Sequence, residues 1–279
     1  MSIGILLALG AAAAYGASDF VGGVASRRHS LWQIVVVGQA AGAVVLLAAG
    51  LALPGRPVTA DFAWALLAGL GSATGGIFLY RGLARGRMGL VAPISAVGAA
   101  ALPVVAGVVI GERPGWLAWT GILAALPGIW LVSRGQVGAG PADARSGLVD
   151  GAAAGLGFGI LFVALAQISD DAGLLPLAAN QVTGAVVAAA AAAALRQVWR
   201  PSLDVLGWGS AAGLLGAAGT LGFMLATTAT GLGISGVLAS LYPAVTVLLA
   251  AGLLGERVGL GQRAGIGICT LAVAAMALG

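Results

Sequence analysis

Long apolar runs alternate with short polar breaks along the whole chain, and each run is about as long as a bilayer is thick. A hydrocarbon core of about 30 Å takes roughly 20 apolar residues of helix. That ruler gives ten predicted spans: 3–25, 31–53, 62–82, 88–110, 115–133, 147–168, 173–195, 205–228, 233–254 and 262–278. The longest break is Gly-rich and holds Arg134, Asp143 and Arg145. It divides the chain into five-helix units at 1–134 and 146–279, joined by a linker at 135–145. Small residues recur at four-residue spacing, as in Gly4, Ala8, Ala12 and Gly16, and again in Gly151, Gly155 and Gly159. Such stripes let helix backbones approach closely in lipid.

The two units are copies of one another. The chain has two glutamates, Glu112 and Glu256, 144 positions apart, and both sit in a Gly-Glu-Arg string between apolar runs. A shift of 144 carries Gly121-Ile122 onto Gly265-Ile266, and a shift of 143 carries Tyr15-Gly16 onto Phe158-Gly159. Five spans per copy is an odd number, so the second copy enters the membrane upside down. The expected fold is an all-α integral membrane protein of ten transmembrane helices in two inverted five-helix repeats. Inverted repeats are the architecture of many secondary transporters, with a site near the midplane between the halves.

Composition agrees. Hydrophobic residues make up 60% of the chain, charged residues 8%, and mean hydropathy is +1.05. A soluble domain carries about 25% charged residues, so most of this surface has to face lipid. The net charge of +4 does not indicate nucleic-acid binding, because all 13 cations are arginines scattered between apolar runs. Nucleic-acid faces cluster their cations on a soluble fold. The loops after odd spans hold 11 of these arginines and the loops after even spans hold the remaining two, Arg56 and Arg113. By the positive-inside rule the odd loops are cytoplasmic and both termini lie outside. A lone cysteine, Cys269, forms no internal disulfide or metal site. With one histidine and no lysine, the chain holds neither a histidine-pair metal site nor a phosphate loop, and no cofactor is expected. The first arginine is Arg27, so the first run lacks the basic start of a signal peptide and reads as a retained span.

These features resemble the EamA-type branch of the drug/metabolite transporter superfamily. The resemblance rests on the two five-span halves, the Gly-Glu-Arg strings, Ala239-Ser240-Leu241-Tyr242-Pro243-Ala244-Val245-Thr246-Val247, and Tyr15-Gly16-Ala17-Ser18-Asp19-Phe20. It implies transport of small metabolites, a cavity bounded by spans 1, 3, 4, 6, 8 and 9, and peripheral spans 5 and 10. It also implies cytoplasmic termini, against the arginine count.

Polar groups inside apolar runs supply the candidate chemistry. Asp19 is the one acid deep in a predicted span. A carboxylate there costs several kcal/mol unless paired, protonated or wetted. It reads either as a proton- or cation-contacting group or as a structural ion pair, with Arg81 as the expected partner. Their repeat counterparts, Phe162 and Leu225, are apolar. Arg81 can instead snorkel to headgroups beside Arg85 and Arg87. Tyr15, Tyr80, Tyr242, Ser240 and Thr246 complete the expected substrate-binding set, and for the hydroxyls helix-helix bonding is an equal alternative. Gln39, Asn180, Gln181 and Thr183 are further polar groups within spans 2 and 7. Pro243 is expected to kink span 9. Gly111 and Gly255 are expected to end their helices. Glu112 and Glu256 then fall at the start of the next helix, where negative charge is favoured.

The reading at this level is a secondary transporter in the cytoplasmic (inner) membrane, exporting a small metabolite or drug-like solute by alternating access, with proton coupling as an option. Expected partners are a small-molecule substrate, the lipid bilayer and protons, with a homodimer left open. The competing classes are a non-transporting assembly or sensor subunit and an intramembrane enzyme. No nucleophile-and-base arrangement supports the enzyme.

Overall fold

A computed structural model describes residues 3–85, 88–133, 141–255 and 257–278. Among them are ten helices and no strand: α1 (Ile3–Ser26), α2 (Leu31–Ala52), α3 (Thr59–Ala84), α4 (Met88–Val109), α5 (Trp116–Ser133), α6 (Pro141–Leu165), α7 (Leu175–Ala194), α8 (Leu203–Ala239), α9 (Tyr242–Leu254) and α10 (Leu260–Leu278). Helices prevail because hydrocarbon offers no partner for backbone N–H and C=O groups, so each span has to satisfy its own. Eight of the helices are long and apolar enough to cross a bilayer, and α5 and α9 are shorter apolar helices. Large apolar side chains such as Leu51, Val109, Trp116 and Leu203 point outward, as a lipid-facing surface requires.

Packing follows an inverted two-fold plan. α1 packs on α8 and α3 on α6, which are exchanged pairs, whereas α2 meets α7 and α5 meets α10, which are each other's counterparts. The small-residue stripes form the closest crossings. On α6, Gly151 faces Ile94, Gly155 faces Gly98 and Gly159 faces Leu102, so two four-residue stripes interlock. A Cβ added at Gly155 would stand 3.0 Å from the Ser95 carbonyl oxygen and 3.1 Å from Gly98 Cα, closer than ordinary packing allows. The halves are not packed identically, however. α4 lies against α5, α6 and α8, whereas α9 lies chiefly against α1 and α5.

The largest departure from the sequence reading is the boundary between spans 8 and 9. The helix expected to stop near 228 runs on to Ala239, bending at Gly231, whose φ of 77° only glycine adopts without strain. The helix expected to cover 233–254 is instead interrupted at Ser240–Leu241. Pro243 does not kink a continuous helix. It lies in the first turn of α9, where its missing N–H costs nothing. At the other end of the linker, α6 begins at Pro141, inside the stretch read as 135–145.

Gly111 (φ 102°) and Gly255 (φ 67°) end their helices in left-handed conformations, as expected. The glutamate after Gly111 behaves differently from the sequence reading. Glu112 does not serve the next helix in its own half. Its carboxylate accepts hydrogen bonds from the backbone N–H of Leu232 and, at 2.9 Å, of Gly233. These are the first free donors after the Gly231 bend, so a carboxylate from one half caps a helix of the other. Glu256 lies outside the described residues. Hydrogen bonds to charged groups contribute about 1.5–3 kcal/mol each. Glu112→Ala is therefore expected to lower thermal stability in detergent by about 2 kcal/mol or more. Glu112→Gln, which keeps one acceptor, should lose less. A melting curve unchanged in both variants would refute the cap.

Candidate functional site

Helix crossings between the halves leave a central polar cavity of about 100 Å³. Tyr15, Ser18 and Asp19 of α1 line it, with Gln39 of α2, and Ser72, Gly76 and Tyr80 of α3. The second half contributes Phe158 and Leu161 of α6, Gln181 of α7, and Gly213, Gly216 and Thr220 of α8. Helices 1, 3, 6 and 8 are those the sequence reading expected. α2 and α7 take the places expected for spans 4 and 9, because both turn a polar glutamine inward while α4 packs closed against α6.

Two of the chain's three tyrosines, Tyr15 and Tyr80, line the cavity with Asp19, whereas Tyr242, expected beside them, falls outside the lining. Their hydroxyls are held in place. Tyr15 Oη donates to Thr220 Oγ1 at 3.2 Å, across the interface between the halves. Tyr242 Oη lies 3.5 Å from Ser95 Oγ, and its ring meets Phe158 edge-on. Tyr80 is buried above Gly22, where any side chain would collide with its hydroxyl. Phe162, the repeat counterpart of Asp19, packs between Tyr15 (5.7 Å) and Phe223 (4.5 Å). One half thus supplies a carboxylate and the other an aromatic wall at equivalent positions.

Around this centre the remaining polar groups are ordered by neutral hydrogen bonds. Ser18 Oγ donates to the Ala212 carbonyl at 2.8 Å, and Gln39 Nε2 donates to Ser72 Oγ at 2.7 Å. Gly76 and Gly216 face the open space. A Cβ at Gly76 would meet only Val35 at 3.9 Å, and one at Gly216 only Ser18 Oγ at 3.4 Å. A small solute can be met here by one carboxylate, hydroxyls, two amides and aromatic faces.

Other candidate residues fall elsewhere. Arg81 does not pair with Asp19. Its guanidinium bonds Asp150 of α6, with Nε 2.9 Å from Oδ1, and lies over the Phe78 ring. The pairing follows from direction: Arg81 leaves α3 toward α6, while Asp19 faces the cavity. Ser240 is fully buried at the α8–α9 interruption, away from the cavity lining. Thr246 Oγ1 donates to the carbonyls of Gly16 and Tyr242, so it joins α1 to α9. Thr183 Oγ1 donates within α7 to Ala179, and Asn180 is buried at the α3 crossing beside Gly69.

Two acids that sequence reasoning passed over also prove structural. Asp150 is the buried mate of Arg81. Asp61 accepts from Ser169 N and Oγ, both at 2.9 Å, and from Val58 N at 2.8 Å. Together with the bond from Arg56 N to the Asp171 carbonyl, Asp61 ties the start of α3 to the loop after α6. Their position near predicted span ends was the available signal, since an acid there reads as solvated.

A family model described as the EamA-like transporter family matches the chain twice, over residues 2–134 and 145–278. A search of solved structures finds a crystal structure, described only as that of a protein, with a TM-score of 0.74 at 18% identity. The similarity covers 99% of this chain and 96% of that one, and it concerns the fold alone. No curated protein matches the sequence. Two copies of one family model, filled nearly end to end by two inverted five-helix repeats, place this chain in the EamA-like transporter family, within the drug/metabolite transporter superfamily, as a multi-pass membrane protein.

Proposed function

We propose that the protein is a secondary transporter that exports a small metabolite or drug-like solute across the cytoplasmic membrane by alternating access, with Asp19 as the group that a proton or a cationic part of the substrate meets. The observation that carries this reading is one carboxylate, Asp19, set beside Tyr15 and Tyr80 in a cavity built from both halves. The unequal packing of α4 and α9 supports the conformational part. An inverted repeat whose halves pack differently can exchange the two arrangements and turn its site from one side to the other. At about 100 Å³ the cavity is smaller than the roughly 300–1,000 Å³ of ordinary ligand pockets, so loading a solute requires the halves to separate.

Purified protein in liposomes, loaded with a mixture of metabolites, tests the reading. Wild-type protein is expected to move at least one solute, and Gly76→Phe, which fills the cavity from an unobstructed position, to reduce that flux to background while remaining monodisperse. A non-transporting assembly or sensor protein would show no flux with either. Flux that survives the Gly76→Phe plug would mean the solute takes another path.

A further inference from the structure

We infer that the bundle carries a second site, separate from the central cavity, that binds the phosphate headgroup and one acyl chain of an anionic membrane phospholipid between α3, α4 and α6. Its polar end is a cleft of about 340 Å³ lined by Arg81, Arg85, Arg145, Ser146, Val149 and Asp150. The spacing builds it. Arg85 follows the last turn of α3, four residues after Arg81, and Arg145 and Val149 are one turn apart on α6, so the end of α3 meets one face of α6 across the cleft. Asp150 is 1% exposed and neutralises one guanidinium through its bond to Arg81, which leaves two cationic charges for a ligand. Arg85 reaches Asp150 only at 3.9 Å with its side chain half exposed, and Arg145 is exposed. Both are therefore placed to meet an anion.

The apolar end lies deeper along α6, the helix that lines both. A groove of about 510 Å³ is lined by Ile94, Val97, Ala101, Leu102 and Val105 of α4, Trp130 of α5, and Ala152 and Leu156 of α6. Val149 belongs to the cleft and Ala152 and Leu156 to the groove, at spacings of three and seven residues on one face of α6. From Ile94 to Val105 the groove follows about 16 Å of helix at 1.5 Å per residue. α4 and α6 both start from the arginine-bearing side of the bundle, so the groove runs inward from the headgroup level, as an acyl chain does. The cations lie where basic pockets between membrane helices meet anionic headgroups. A soluble phosphate would use the cleft and leave the groove empty, whereas a zwitterionic lipid would gain little from the two cations.

Native mass spectrometry of the full-length protein from nanodiscs tests the site. Discs of phosphatidylcholine alone are compared with discs containing phosphatidylglycerol. Wild-type protein is expected to retain phosphatidylglycerol in preference to phosphatidylcholine. The Arg85→Ala/Arg145→Ala variant should lose at least about tenfold of that retention, and Arg200→Ala, on another loop, should lose none. Ala101→Trp, which blocks the groove and leaves every arginine in place, should also lose it, and it decides the matter if the double variant does not fold. Retention by Ala101→Trp at the wild-type level, equal retention of the two lipids, or displacement of the lipid by millimolar inorganic phosphate would each overturn the inference, the last by making the ligand a soluble anion.

Discussion

Asp19→Asn is expected to abolish the pH dependence of transport while leaving the protein folded in the membrane. The substitution keeps the shape of the side chain and removes its proton exchange. Among the described residues no arginine pairs with Asp19, and the cavity around it is lined by tyrosine, serine and threonine hydroxyls, two glutamine amides and apolar walls. In such a site the balance between the charged and neutral carboxyl is set by whatever enters the cavity, because the protein supplies no fixed cation to hold the charge. A proton and a cationic solute group then compete for one acceptor, which is a minimal coupling device. Flux driven by an imposed pH gradient in proteoliposomes should fall by an order of magnitude or more in the variant. Downhill exchange of solute should survive if the solute is neutral. An unchanged rate with an unchanged pH profile would make Asp19 a structural group and leave the transporter reading intact.

The largest loss of stability is expected from Arg81→Leu. Asp150 is 1% exposed, and Arg81 supplies its closest cation. Removing one member of a fully buried ion pair costs about 3–5 kcal/mol, and the loss here falls at the low end because Arg81 is one-third exposed. Arg85, at 3.9 Å, recovers only part of this because its side chain is half exposed. Arg81→Leu should therefore unfold at markedly lower temperature or denaturant concentration in detergent. The paired change Arg81→Leu/Asp150→Asn should regain most of the loss, since no uncompensated charge remains and coupled neighbours are not additive. Arg81→Leu/Asp19→Asn should regain none. Recovery by the Asp19 change in place of the Asp150 change would restore the pairing the sequence suggested.

The central carboxylate was legible because polarity in an apolar run is conspicuous. Asp19 and the tyrosines stood out against Ala, Leu, Gly and Val; Asp19, Tyr15 and Tyr80 line one cavity, while Tyr242 lies outside its lining. Asp61 and Asp150 were not legible as structural groups, since both lie near predicted span ends where a solvated acid is unremarkable. Ser18, Ser72 and Thr220 were passed over for a related reason: a hydroxyl in a membrane helix usually bonds its own backbone. Thr220 does so, donating to Gly216 at 3.0 Å, and also accepts from Tyr15. No spacing rule separates a hydroxyl with that second bond from one without it.

The sequence by itself determined the ten apolar runs, their duplication, the inverted sense of the second copy and the left-handed glycines that end two helices. Each depends on composition or on register along one dimension, which the bilayer converts directly into helix length and direction. Only the tertiary structure decided that Arg81 meets Asp150, that Glu112 caps the helix after Gly231 in the opposite half, that span 9 is interrupted before Pro243, and that α2 and α7 line the cavity. Those outcomes depend on how far each helix is rotated and tilted against its neighbours. In lipid those angles are set by close packing of small residues and by pairing of polar groups across helices, which spacing along a single helix leaves free.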